Sequence, residues 1–220
     1  MAGILAEKVR DNNNSLTARA PCITIKVMNK RNLEVEFKAR VKDPARVRRV
    51  LARLGTPMAA IDYHDIYFCP AAVRGYTFKR FRLRRLKGKA LVTAKERMRG
   101  HGVEASREHE FEVSDPDAFQ GFTRTIGYQE FIRKTKKGKR WRVKSETAKG
   151  MDASVDLIEV AGLGHFLEIE IMVASPAKIP AASKRIKQIF SLAGVSEDDI
   201  ETKPYTLMLY ELKLKKRRKK

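Results

Sequence analysis

From Leu33 to Lys42 the chain alternates. Leu33, Val35, Phe37, Ala39 and Val41 are apolar, and Glu34, Glu36, Lys38, Arg40 and Lys42 between them are charged. A period of two puts the two sets on opposite faces of a strand. Asp43-Pro44 follows, an N-cap residue with proline at the first helical position. Val47, Val50, Leu51 and Leu54 then recur at helical spacing, and Gly55 marks the stop. The unit returns at residues 108–113, where Asp115-Pro116 opens a helix carrying Phe119, Phe122 and Ile126 before Gly127. A looser copy runs from a strand at 167–171 to a helix marked by Ile186, Ile189 and Phe190 and ended by Gly194. In each copy a Glu-x-Glu strand leads into a helix.

Basic strands lie between these units. Arg80, Arg82 and Arg84 share one face of a strand with Phe81 and Leu83 opposite, and Thr93 and Lys95 share a face of the next. Residues 131–136 and 139–144 read as the arms of a basic hairpin turning at Gly138. Asp156, Ile158 and Val160 precede a turn at Gly162-Leu163-Gly164, which lacks the Lys-Ser/Thr of a phosphate loop. Strands that are apolar on one face and charged on the other fit two architectures. One is an open antiparallel sheet with a solvated face. The other is a closed barrel with the charged faces inward and helices over the apolar exterior.

Composition sharpens the functional side. The 220 residues carry 47 Lys and Arg against 26 Asp and Glu, a formal net charge of +21, and 43% of them are hydrophobic. Such a chain can bury a core and favours polyanionic partners. Seven of the last eight residues are basic, which reads as a self-repelling, disordered tail suited to RNA or to solubility. No apolar run is long enough for a membrane span, and no secretory leader pattern opens the chain. Two cysteines, Cys22 and Cys69, exclude a disulfide scaffold and suit a reducing, cytoplasmic setting. His64, His101, His109 and His165 have no ligand spacing and read as surface residues, and Trp141 reads as core.

The charged residues segregate by strand. Glu34/Glu36, Glu108/Glu110/Glu112 and Glu168/Glu170 could offer oxygen ligands to a hard cation such as Mg²⁺ or Mn²⁺. Arg82/Arg84, Lys95, Lys134 and Lys136 could neutralise phosphate oxygens. Both sets together match a metal-bound polyphosphate.

At this level of detail the chain resembles the CYTH superfamily of triphosphate tunnel metalloenzymes. Glu34-Val35-Glu36-Phe37-Lys38 matches its Glu-x-Glu-x-Lys signature. Asp65-Ile66-Tyr67-Phe68, Phe81-Arg82-Leu83-Arg84 and Leu91-Val92-Thr93-Ala94-Lys95 are similar to three further segments, in the family's order. Gly162-Leu163-Gly164-His165-Phe166-Leu167-Glu168-Ile169-Glu170 and Lys203-Pro204-Tyr205 resemble two more. The resemblance spans residues 31–212, leaving 1–30 as an N-terminal extension and 213–220 as the basic tail. It implies an α+β fold: a closed antiparallel barrel of about eight strands with flanking helices, enclosing a tunnel.

By the same resemblance Glu34, Glu36, Glu168 and Glu170 bind divalent metal, with Glu110 as a weaker addition. Lys38, Arg82, Arg84, Lys95 and Lys203 hold the triphosphate, and Lys38, Arg84 and Lys95 are expected to act in catalysis. Two positions depart from the family. Its Lys-x-Arg appears as Lys134-Thr135-Lys136, with Arg140 the nearest arginine. Its Asp before the Gly-Leu-Gly turn is Ile158, for which Asp156 can substitute. The implied activity is metal-dependent phosphoryl transfer on ATP, tripolyphosphate or thiamine triphosphate. The segment at Gly162 looks most like class IV adenylate cyclases. The competing expectation is a non-catalytic polyanion- or RNA-binding protein on the same scaffold.

Overall fold

The computed structural model describes residues 33–76, 81–86, 88–97, 104–145 and 151–218. The expected N-terminal extension, together with Cys22, Arg80 and His101, lies outside them. Among the described residues eight strands form one antiparallel sheet. They are β1 (Leu33–Arg40), β2 (Thr56–Pro70), β3 (Phe81–Leu86), β4 (Lys89–Arg97), β5 (Glu104–Val113), β6 (Tyr128–Val143), β7 (Ala153–Val160) and β8 (Gly164–Val173). The helices are α1 (Pro44–Leu54), α2 (Pro116–Thr125), α3 (Ile179–Leu192) and α4 (Tyr205–Arg217).

The ladders run in the order β1-β5-β4-β3-β2-β6-β7-β8, and β8 pairs with β1. That last ladder is long, from Leu33 opposite Val173 to Arg40 opposite Phe166. On its other side β1 meets β5 over only Glu34–Ser106, Val35–Ala105 and Glu36–Glu104. The expected closed barrel is therefore an eight-stranded sheet curled on itself, with a short seam between β1 and β5 where a full-length wall was anticipated. The three Glu-x-Glu strands, far apart in sequence, become neighbours in the order β5-β1-β8.

The period of two decides which side faces what. Leu33, Val35, Ala39, Leu167, Ile169 and Ile171 form a core with Leu51 of α1 and Ile186, Ile189 and Phe190 of α3. Burying such a side chain contributes roughly 1.5–3 kcal/mol, so this layer fixes the charged residues between them on the concave face. Asp43 caps α1 by accepting from the Arg46 amide, and Gly194 beyond α3 takes a positive φ of 73°. The α2 stripe splits. Phe119 packs edge-on against Phe81 and Phe111, while Phe122 and Ile126 are exposed.

Two expectations are corrected. Gly138 does not turn a hairpin, because β6 runs unbroken through it. A Cβ there would stand 2.1 Å from the Leu157 carbonyl oxygen, so glycine serves the close approach of β7. Nor does a disordered tail begin at Lys213, since α4 continues helically to Arg217. Trp141 is core, as expected, and His64, His109 and His165 are exposed.

Candidate functional site

The concave face has an acidic wall and a basic wall. The acidic wall is a consequence of strand order. Glu34 and Glu36 of β1 stand beside Glu170 of β8 and Glu108 of β5, and Glu36 is directly opposite Glu170. One cation sits among them. Lys95 Nζ, reaching from β4, is 2.6 Å from Glu34, 2.9 Å from Glu108 and 3.7 Å from Glu36. The carboxylates raise the Lys95 ammonium well above its ordinary value, outweighing burial. Lys95 holds Glu108 below the usual range although burial opposes it. Arg140 acts on Glu170 and Arg82 on Glu108 as well. Burial, then the charges of Glu36, Glu170 and Glu108, push the Glu34 carboxyl up to about 8 against the pull of Lys95. Burial and Glu36 raise Glu170 as well.

The basic wall reverses the signs. Asp65 on β2 lies opposite Arg84 of β3 and Lys134 of β6, so its carboxylate reaches cations on both neighbours. Arg84 donates to it twice, at 2.7 and 3.0 Å, and Lys134 Nζ is 3.1 Å away. Arg82 stands at 3.9 Å. Burial would raise Asp65, but Lys134 and Arg84 hold it well below the usual carboxylate range. Lys134 also donates to the Tyr67 hydroxyl at 2.6 Å, and Arg84 stacks over the Tyr63 ring at 4.0 Å. Arg82 donates through Nη2 to Thr93, which donates in turn to Glu110. Its Nε is buried and has no hydrogen-bond partner among the described residues.

Between the walls the pairs are closed. Lys136 donates to Glu168 at 2.6 Å, and Lys136 and Lys134 hold Glu168 down to about 2 despite burial. Arg140 makes a two-point pair with Asp156 at 2.6 and 2.7 Å. Lys38 is buried and makes no ion pair among the described residues. One end of the concave face turns apolar at Ile61, Ile158 and Phe166, and Tyr205 and Met208 of α4 cover it. The Tyr205 ring there faces the ammonium groups of Lys38, Lys134 and Lys136 at 5.4, 5.5 and 5.0 Å.

The CYTH domain model matches residues 32–205, all eight strands and the first residue of α4. The chain belongs to the CYTH family. A Methanocaldococcus jannaschii protein named as a candidate adenylate cyclase is 26% identical over 178 residues, covering 79% of this chain and 96% of that protein. Two solved Pyrococcus horikoshii proteins share the fold. One is 26% identical with a TM-score of 0.66, over 81% of this chain and 98% of its own. The other is 25% identical with a TM-score of 0.64, over 80% and 99%.

Against the CYTH pattern, the structure gathers Glu34, Glu36 and Glu170 with Lys95, and Arg82, Arg84 and Lys134 around Asp65. Glu168 and Asp156 are each engaged by one base, and Glu110 accepts from Thr93. Lys203 is not brought to the basic wall. It is exposed and pairs with Glu211 at 3.4 Å, while Tyr205 beside it turns inward. Among the described residues no three acids or imidazoles stand ready around one ion, and Lys95 occupies the middle of the acidic cluster. The oxygens of Glu34, Glu36, Glu108 and Glu170 that share this side of the face are of the donor type that hard cations take.

Sequence reasoning did not single out Asp65, Tyr67 or Thr93 as site residues. The signal was available in part. Tyr63, Asp65 and Tyr67 fall at every second position of β2, the face that also carries Ile61. Arg140 was expected across a turn from Lys136, whereas both lie on one continuous strand.

Proposed function

We propose that this chain is a metal-dependent phosphoryl-transfer enzyme acting on a triphosphate inside a tunnel that the curled sheet completes. The adenylate cyclase reaction is the leading form, in which the ribose 3′-hydroxyl of ATP attacks the α-phosphorus and pyrophosphate leaves. Triphosphate hydrolysis is the second. The observation that carries the reading is the opposition of the two walls. A crowded carboxylate cluster faces a buried basic wall in which, among the described residues, Arg82 Nε lacks a partner, and Lys38 between the walls makes no ion pair among them. The family match and the name of the Methanocaldococcus relative support the triphosphate and the cyclase form.

A divalent cation, Mg²⁺ or Mn²⁺, held by Glu34, Glu36 and Glu170 would supply Lewis-acid polarisation of phosphate oxygens. Arg82, Lys134 and Lys38 would bind the opposite side of the chain of phosphates and offset the charge that grows on it in the transition state. Burial makes these contacts count for more than at the surface. Ile158, Phe166 and Met208 would keep water from the apolar end.

Product analysis with ATP, tripolyphosphate and thiamine triphosphate, each with Mg²⁺ or Mn²⁺, tests the reading. Cyclic AMP and pyrophosphate should form from ATP and fall at least about 100-fold in a Glu34→Ala/Glu36→Ala control. Orthophosphate release lost in that control would assign hydrolysis instead. No turnover with any substrate would replace the reading with polyanion binding on the same scaffold.

A further inference from the structure

Asp65 is an acid in the wall that is meant to receive an anion. Its side chain has no exposure, and three cations and a phenol surround it: Arg82 and Arg84 on β3, Lys134 on β6 and Tyr67 on its own strand. Glu168 of β8 and Tyr205 of α4 also act on Lys134 or lie near its ammonium. Stability alone gives little reason for the arrangement, because an apolar core of equal volume is often as stable as a buried ion cluster. The geometry is informative in how it divides the cations. Arg84 is engaged twice, its fork on Asp65 and one face on Tyr63. Arg82 is only loosely drawn to Asp65 and, among the described residues, keeps its buried Nε unpartnered.

We propose that Asp65 is a positioning residue of the triphosphate site: by fixing Arg84 and Lys134 it holds the basic wall open, with Arg82 and Lys134 as the groups that meet phosphate. Arg84 then acts through Asp65. The proposal rests on the triphosphate reading above and adds a residue that reading does not use. Asp65 also has an electrostatic task. Lys134 is buried, and burial with the charges of Arg84 and Arg82 lowers its ammonium from the ordinary value, while Asp65 and Glu168 hold it up. Without that carboxylate a lysine in such a setting loses its proton more readily.

The test has an unusual sign. By Coulomb's law alone, deleting a negative charge beside an anion site should tighten anion binding. A positioning role requires the reverse. Tripolyphosphate affinity of the full chain would be measured by calorimetry from pH 6 to 9 for wild type, Asp65→Asn and Asp65→Glu. The expected result is a loss of about tenfold or more in Asp65→Asn, the scale of a charge-assisted hydrogen bond. The loss should deepen toward pH 9 as Lys134 deprotonates, and Asp65→Glu should recover part of it. Equal or tighter binding by folded Asp65→Asn, with the wild-type pH profile, would overturn the proposal while leaving the triphosphate reading intact. A wild type that binds no tripolyphosphate would overturn both.

If Asp65→Asn does not fold, Arg84→Met and Arg82→Met decide the matter. Arg82→Met removes a group that meets phosphate and should lower affinity by about tenfold. Arg84→Met removes a group that only positions and should lower it by less. A loss in Arg84→Met as large as in Arg82→Met would overturn the assignment.

Discussion

Lys95 and Asp65 occupy mirrored positions: one ammonium among three carboxylates, and one carboxylate among three cations. Their settings differ in access. Asp65 has no side-chain exposure, whereas the Lys95 side chain is 32% exposed. They do not differ in balance: each sets three like charges around one opposite charge, so Glu34 rises to about 8 and the Lys134 ammonium is lowered from its ordinary value. A sealed cluster holds its geometry. An open one is where an ion can exchange with solvent.

The largest effect should come from breaking the sealed cluster. Asp65→Ala leaves Arg84 and Lys134 buried without their counter-charge, a loss of about 3–5 kcal/mol, readable in urea unfolding. Lys95→Met should cost less, because its carboxylates can take up protons instead.

Next in size is the response to pH, and here Glu34 and Glu168 have opposite signs. The folded Glu34 carboxyl titrates above its ordinary 4.5, at about 8, so the folded state binds the extra proton in that window. Its contribution to stability therefore falls as pH rises from about 4.5 through about 8. Glu168, held down to about 2, contributes stability that is present at and above its ordinary value and is lost only as pH falls toward 2. Glu34→Gln should flatten the profile between about pH 4.5 and 8 without altering the acid limb. An unchanged slope would show that the carboxylates are not crowded.

A smaller effect concerns the ion itself. Lys95→Met should raise Mn²⁺ affinity in the absence of substrate by about tenfold, since it removes a competing charge 2.6–3.7 Å from the oxygens. Electron paramagnetic resonance of free Mn²⁺ reads this directly, and weaker binding would mean that Lys95 assembles the carboxylates. The smallest effect is expected at Lys203. Its pair with Glu211 is exposed, so Lys203→Ala should cost at most about 0.5 kcal/mol. Tripolyphosphate affinity measured alongside should stay within about twofold. A larger drop would bring this lysine back to the triphosphate, as the family resemblance implies.

The alternation at Leu33 to Lys42, the Asp-Pro helix starts and the glycine stops were legible because each is a local signal. The grouping of Glu34, Glu36, Glu108 and Glu170 was legible as chemistry but not as geometry, since it depends on β1 pairing with both β5 and β8. Gly138 misled because a glycine between basic runs signals a turn as readily as a close strand approach. Lys203 and Tyr205 illustrate a rotation that spacing does not carry. They flank the start of α4, and which one faces inward is set by packing on Phe166.

The position of β1 between β5 and β8 has a consequence for synthesis. Chains fold from the N-terminus as they emerge, and pairings distant in sequence form late. Among the described strands β1 emerges first, yet its long ladder is with the last. Until β8 arrives it can pair with β5 over three positions, so most of it waits as an open edge carrying Glu34, Glu36, Lys38 and Arg40, and charge on an exposed edge discourages association with other chains. The side chains that gather at the acidic wall thus also guard the nascent chain until β8 arrives.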